Sequence, residues 1–419
     1  MARLSRRALL AGLAAAAGCT AAPGDPTATD ADADAPTTDA PATTEEFPPP
    51  SPTPGGPDSP LPLPTDTEWR QRGNTSDRRG RLDGTAVPTE PELAWSFYTP
   101  MSAPVVADGT LYGIEEGLAA RDAATGRLEW RAELSGEAAA APAVADGRLY
   151  VQRYTGMEAY DPDGGGRLWR TEFGGGGTSS PAVVDGVAYA AQGSHQTPAA
   201  VAAFGPGGER RWRVELDGDL RGSPAVVEDT VVVATDDGTL HGVGTDGERR
   251  WTVEVAEGTT AAPAGDGDGV VYVPDADGVV RAVDAADGTE LWRVTLDADG
   301  GRRPAVADGA VVVSTDGAVV CLDRDDGSRR WRTPVLRGSA GAPSADDTTV
   351  YVGETGSRGR ILALDLADGS ERWARRTEDT AVSDVIVSGV QGPPTPVAGG
   401  VYVVAADGIR AFRRGDGTA

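Results

Sequence analysis

The run AARDAATGRLEW, Ala119 to Trp130, decides the fold, because close copies of it return along the chain. AVDAADGTELW ends at Trp292, CLDRDDGSRRW at Trp331 and ALDLADGSERW at Trp373. AYDPDGGGRLW, ending at Trp169, is looser, and AFGPGGERRW and GVGTDGERRW, ending at Trp212 and Trp251, are one residue short. From Trp95 onward successive tryptophans stand 35, 39, 43, 39, 41, 39 and 42 residues apart. A period near forty marks a repeat architecture. A second landmark keeps step with the first: SAPVVADG, AAPAVADG, SSPAVVDG, GSPAVVED, AAPAGDGDG, RRPAVADG, GAPSADD and GPPTPVAGG, with prolines at 104, 142, 181, 224, 263, 304, 343 and 394. There are therefore eight units.

Between the landmarks each unit holds β-rich stretches such as GRLYV, VVVAT or GVVYV, separated by Asp-Gly turns. Short apolar runs bounded by Gly and Asp read as strands joined by tight turns that need positive φ. Four strands per forty residues, repeated radially, predict an all-β, eight-bladed β-propeller of four-stranded antiparallel blades. No window keeps an apolar 3.6 period unbroken by Gly or Pro, so helices have no place.

The repeat resembles the tryptophan-docking motif A-x-D-x-x-T-G-x-x-x-W of the quinoprotein-like (PQQ-like) propellers, over residues 65–419. The resemblance implies that Trp95, Trp130, Trp169, Trp212, Trp251, Trp292, Trp331 and Trp373 each pack against the next blade. A large flat ring between twisted sheets buries much apolar area, which agrees with that role. The last unit stops before its tryptophan, and PELAWSFY around Trp95 is available to complete the eighth blade and leave no open sheet edge. The preceding EWRQRGNTSDRRG resembles the lead-in segment W-x-Q-x-R-G-N of such propellers and is expected to pack on one face.

Ahead of the repeats, residues 1–19, MARLSRRALLAGLAAAAGC, read as an export signal with a charged start and a short apolar run. Arg6 and Arg7 resemble a twin-arginine signal, and AAGC ending at Cys19 resembles a lipobox, so Cys19 is the expected lipidation site. Residues 20–64, rich in Ala, Thr, Asp and Pro, read as a disordered linker. Fully polyproline-like, its 45 residues would reach about 140 Å. These features predict a protein tethered to the outer face of the cytoplasmic membrane by lipid.

The composition removes several function classes. Sixty-four acidic against 38 basic residues give a net charge of −26, which repels nucleic acid. All the basic residues are arginine, so Schiff-base lysines and P-loop lysines are impossible. An acidic, lysine-free chain predicts a halophilic, haloarchaeal source, a GC-rich genome being the alternative. Two histidines, His195 and His241, and two cysteines, Cys19 and Cys321, assemble neither a metal cage nor a disulfide framework.

Remaining candidates for chemistry read as structure. Cys321 occupies a slot that holds Ala in neighbouring units and reads as a packing thiol. His195, in GSHQTP, reads as a surface histidine, and His241, in GTLHGV, as a strand histidine. The acidic turns at 266–269 and 275–278 look like fragments of calcium loops but lack the remaining ligands. GGGGTSS at 174–180 opens no helix and so cradles no phosphate. Three irregular places break the repeat and are where specificity would lie: 193–198, 353–360 and 375–393.

Quinone-dependent dehydrogenases share the blade design, and the class implies PQQ, a calcium ion and an adjacent cysteine pair. The pair is absent here, so neither PQQ nor calcium is expected. The leading expectation is a non-catalytic, monomeric scaffold that binds an envelope or exported protein, similar to the outer-membrane assembly factor B family. An envelope polysaccharide or small-ligand binding module and a PQQ-dependent dehydrogenase are the alternatives.

Overall fold

The structure, a computed structural model, describes residues 68–414 apart from the short connections 84–90, 98–100, 135–139, 175, 177–178, 195–196, 256–260, 298–300, 308, 336–340, 356–358, 377–379, 383–384, 388 and 406–407. Cys19, Arg6, Arg7 and the linker 20–64 lie outside the described residues. Among the described residues all regular structure is β, in eight four-stranded antiparallel sheets and one two-stranded hairpin.

The first blade shows the plan: Val105–Ala107, Thr110–Ile114, Leu118–Asp122 and Leu128–Ala132 pair in chain order. Residues 143–172, 182–216, 220–254, 264–295, 305–334 and 344–376 repeat it. In the last blade Thr395–Val397, Gly400–Ala405 and Gly408–Arg414 are joined by Pro91–Phe97, which pairs antiparallel with Gly408–Arg414. First strands of successive blades touch at the centre, whereas fourth strands such as Leu128–Ala132 alternate exposed and half-buried residues at the rim. Asp108-Gly109, with φ of 49° and 77°, makes the hairpin between the first two strands, a turn in which both central residues need positive φ. The connection 375–393, read from the sequence as an irregular insertion, carries a small hairpin of its own, Thr380–Val382 against Val385–Val387.

Eight apolar clusters hold the blades together, and each spans two neighbours. Val312, Cys321 and Trp331 of the sixth blade meet Val350, Val352 and Leu362 of the seventh, and Tyr402 and Ile409 of the eighth meet Val106 and Leu111 of the first. The tryptophans lie across these seams. The indole Nε1 of Trp95, Trp130, Trp169, Trp212, Trp251, Trp292 and Trp331 donates to the carbonyl of Ala123, Pro162, Pro206, Thr245, Ala285, Arg324 and Leu366 respectively, at 2.8–3.2 Å, each in the next blade.

The motif's glycine serves that seam twice. Gly327 has φ of 72°, and a Cβ there would stand 2.6 Å from Trp292 Cε3, so the residue closes the turn and leaves a seat for the neighbour's ring. The motif aspartate fixes the turn from inside: Asp122 Oδ1 accepts from the Thr125 backbone N–H at 2.8 Å and from its hydroxyl at 2.7 Å. In the two shortened copies the aspartate is Gly205 or Gly244, and a tighter turn, Gly208 N–H to Gly205 O at 3.0 Å and Gly247 N–H to Gly244 O at 2.8 Å, still seats the tryptophan. Trp373 differs. Its Nε1 is buried without a partner among the described residues, and Arg413 stands in the eighth blade where the turn-fixing aspartate would be.

Tyrosines of the second strands lean on the tryptophans of the same blades, as Tyr112 does on Trp130 with ring centroids 6.0 Å apart. Burial raises the phenols of Tyr150, Tyr160, Tyr189, Tyr272, Tyr351 and Tyr402 and pushes Tyr112 up to about 12. A phenol whose folded value lies above its unfolded value of about 10 favours the fold below that pH and loses its contribution as pH rises through the folded value. Thermal stability is therefore expected to be insensitive to these groups up to pH 9 and to fall above pH 10, with the tyrosinate absorbance of the buried phenols, beyond that of exposed Tyr154, appearing together with unfolding. Complete tyrosine titration in a still-folded protein at pH 10 would contradict this packing.

Candidate functional site

The lead-in segment builds the centre of the molecule. Between Trp69 and Leu82 it meets the first strands of seven blades one after another. Trp69 exchanges backbone hydrogen bonds with Val106, and the Arg70 carbonyl accepts from the Val144 N–H at 2.7 Å. The Gln71 side chain receives the Val183 N–H at 3.1 Å. The carbonyls of Ser76, Asp77, Arg79 and Gly80 then accept from the N–H groups of Val226, Gly265, Val306 and Ala345 at 2.6–2.9 Å. Rather than resting on one face, the segment satisfies inner-strand amides that would otherwise stand as an open edge.

Arg78 pins this strap from inside. It is 1% exposed, and its guanidinium donates to the carbonyls of Pro224, Ser180 at 2.5 Å and Arg72 at 3.0 Å. Its own carbonyl accepts from Arg303 Nη1 at 2.8 Å. Burial holds the Arg78 and Arg303 guanidinium groups well below their usual value, with Arg72 adding repulsion to both.

Beside the strap lies a pocket of about 250 Å³ on the central axis. Arg72, Ser223, Arg303, Thr355, Gln391 and Pro393 line it among small residues such as Gly222, Ala262 and Ala342. Two of the three irregular places noted in the sequence contribute, Thr355 from 353–360 and Gln391 and Pro393 from 375–393. Val390 anchors the latter, with its N–H donating to the Glu354 carbonyl at 2.9 Å. The third irregular place, around 193–198, lies elsewhere: Ser194, Thr197 and Pro198 line an open acidic depression with Asp217, Asp219 and Asp236.

Cys321, His241 and the acidic turns are packed into the fold. Cys321 is fully buried and its thiol is pushed up to about 12 by burial. Thiol reagents are therefore expected to leave Cys321 unmodified in the folded protein and to label it once denaturant is added; labelling at equal rates in both states would show the seam open. His241 is buried, with Nε2 3.3 Å from Thr235 Oγ1, and burial lowers its pKa. His195 lies outside the described residues.

The acidic turns spend their oxygens internally. Asp266 accepts from the backbone of Asp268 and Val270 and from the Tyr272 hydroxyl at 2.8–3.1 Å. Asp275 accepts from the backbone of Asp277 and Val279 and from Arg281 Nη1 at 2.6–3.0 Å. Among the described residues no group of three or more His, Cys, Asp or Glu is placed to hold a metal ion. The exposed leucines Leu93, Leu128, Leu168 and Leu291 sit singly on different rim strands.

The arginines of the axis were missed at the level of sequence, although a signal existed. The residue before each landmark proline is Ala103, Ala141, Ser180, Ser223, Ala262, Arg303, Ala342 and Pro393, so one arginine interrupts a ring of small residues.

Eight four-stranded blades, indoles docked across the seams and a strapped axis define a quinoprotein-like β-propeller. The family described as "Outer membrane protein assembly factor BamB" matches residues 67–159, 156–261 and 241–419, and the chain belongs to that family. The outer membrane protein assembly factor BamB of Vibrio cholerae is 44% identical over 137 residues, 32% of this chain and 34% of that protein. The Escherichia coli protein of the same name is 29% identical over 123 residues, 29% of this chain and 23% of that one. The matches thus span about a third or less of the length of these relatives.

Solved structures share the fold. BamB from Moraxella catarrhalis superposes with a TM-score of 0.62 at 18% identity, over 79% of this chain and 99% of that one. Quinohemoprotein alcohol dehydrogenase from Comamonas testosteroni gives a TM-score of 0.67 at 14% identity, covering 84% and 81% of the two chains.

Proposed function

We propose that this protein is a non-catalytic, lipid-anchored propeller that scaffolds protein assembly or export at the cell envelope. The family match that runs through every blade, residues 67–419, carries the reading. The relatives' name places them in outer membrane protein assembly. Where an envelope has no outer membrane, the corresponding role is a scaffold for exported complexes. Residues 1–64 supply the means of attachment, with Cys19 as the lipid site, Arg6 and Arg7 as the export signal and the linker as a spacer.

The dehydrogenase alternative asks for calcium beside a quinone. Calcium takes six to eight oxygen ligands, carboxylates foremost, whereas the axis presents Arg72 and Arg303, which repel a cation. Among the described residues the lining offers a divalent cation no carboxylate, which supports the non-catalytic reading, and no step through a quinone is derived. Incubating the purified protein with PQQ and calcium is expected to give neither bound quinone absorbance nor alcohol or sugar oxidation with an artificial acceptor. A stoichiometric quinone signal with turnover would overturn the non-catalytic reading. Membrane fractionation tests the tether: the Cys19→Ala variant is expected to leave the membrane, and one that remained bound would remove lipid from the account.

A further inference from the structure

Arg303 is out of place by every rule that governs the rest of the axis. It replaces a small residue of the repeat, it is 5% exposed, and its Nε and Nη2 atoms are buried without a hydrogen-bond partner among the described residues. Only Nη1 is used, toward the carbonyls of Arg78 at 2.8 Å and Pro304 at 3.2 Å. A buried guanidinium with unmet donors carries a large desolvation penalty unless an anion meets it. The surrounding blades leave room for one, since Gly222, Ala262 and Ala342 enclose the pocket where larger side chains would fill it.

A second arginine faces the same space. Arg72 comes from the strap, and its side chain makes no hydrogen bond or ion pair among the described residues. Among the described residues no carboxylate lines the pocket. Arg302 stands at its edge, 3.7 Å from Asp316, while Ser223, Thr355 and Gln391 bring neutral polar groups. In a chain of net charge −26, a site whose described lining holds cations and no acid is an exception that needs a cause. Arginine forks match oxyanions geometrically, two N–H donors to two oxygens.

We propose that the axial pocket formed by Arg72, Arg303 and the small residues of the inner ring is a binding site for a small, multiply charged oxyanion, phosphoryl or carboxylate in class. About 250 Å³ accommodates a phosphate or a compact polycarboxylate but no extended polymer. The site is separate from the scaffold role, because it lies within the ring, and its failure would leave that role intact. When bound, the anion would bridge strap and blades and lock the centre.

Calorimetric titration of the full-length protein in detergent with inorganic phosphate, and separately with citrate, at constant ionic strength held by chloride, tests the site. One of the two is expected to bind saturably, near one equivalent, and to raise Tm with the same concentration dependence. Tighter phosphate binding assigns the phosphoryl class and tighter citrate binding the carboxylate class. Arg72→Gln, which removes a side chain with no hydrogen bond or ion pair among the described residues, is expected to weaken binding at least tenfold without lowering the ligand-free Tm. Arg303→Met is expected to abolish both the heat and the Tm response. No saturable binding of either anion, or binding of undiminished strength in both variants, would overturn the proposal.

Discussion

Replacing Arg78 by alanine is expected to cost about 3–5 kcal/mol of stability, the scale of breaking a buried charged network, and to free the strap from the inner ring. The side chain is fully enclosed and its donors reach three carbonyls, Pro224 and Ser180 in neighbouring blades and Arg72 in the strap itself. Alanine leaves those acceptors in a space closed to water, and each orphaned carbonyl costs about 1–3 kcal/mol. The buried charge removed at the same time offsets part of this. Lysine is not expected to rescue the variant, because a single ammonium cannot present a flat fork to three separated carbonyls. Urea unfolding together with limited proteolysis measures it: a lowered midpoint and new cleavage within residues 68–83 are expected. An unchanged midpoint would mean that the strap adds nothing to the blades.

Trp331→Ala is the second large effect, about 3–5 kcal/mol, in the range of a buried aromatic truncated to alanine. The ring is 8% exposed and lies in the seam between the sixth and seventh blades. It donates to the Leu366 carbonyl at 2.8 Å and rests on Gly369, where a Cβ would stand 2.6 Å from its Cε3. Thr333 Oγ1 donates to the Gly369 carbonyl at 2.6 Å and fixes the same turn. Trp373→Ala serves as an internal comparison. Its indole N–H has no acceptor among the described residues, so its truncation loses packing alone and should cost about 1 kcal/mol less, the net worth of one hydrogen bond. Equal losses at the two positions would show that the seam hydrogen bond contributes nothing.

Blade number and blade length were legible because each strand turn is written in residues with few substitutes. Asp-Gly at a hairpin needs positive φ at both positions, and the motif glycine must lack a side chain so that the neighbouring indole can sit down. Such constraints repeat with the blade and therefore show as periodicity. The strap was legible as a segment but not as a path, since its bonds to seven blades are made almost entirely by backbone groups that any sequence carries. The axial pocket was hidden for a different reason. Its residues come from the strap, from four blades and from two irregular connections, separated by up to about 320 positions, and only the fold brings Arg72 to Arg303, Gln391 and Pro393. The one local trace was RRP in place of two small residues. The hairpin within 375–393 left no trace either, because ED and SD between short apolar pairs read equally well as loop.

The proposed role of the propeller is to hold another protein at the envelope rather than to perform chemistry. In-membrane crosslinking of the full-length protein, followed by mass spectrometry of the crosslinked peptides, tests it most directly. The account predicts a recurring envelope or exported protein joined to loops on one face of the blades, and loss of those crosslinks when Cys19→Ala releases the propeller from the membrane. Crosslinks confined to copies of this chain, with specific glycan binding by the purified protein, would contradict it and favour a polysaccharide-binding module instead.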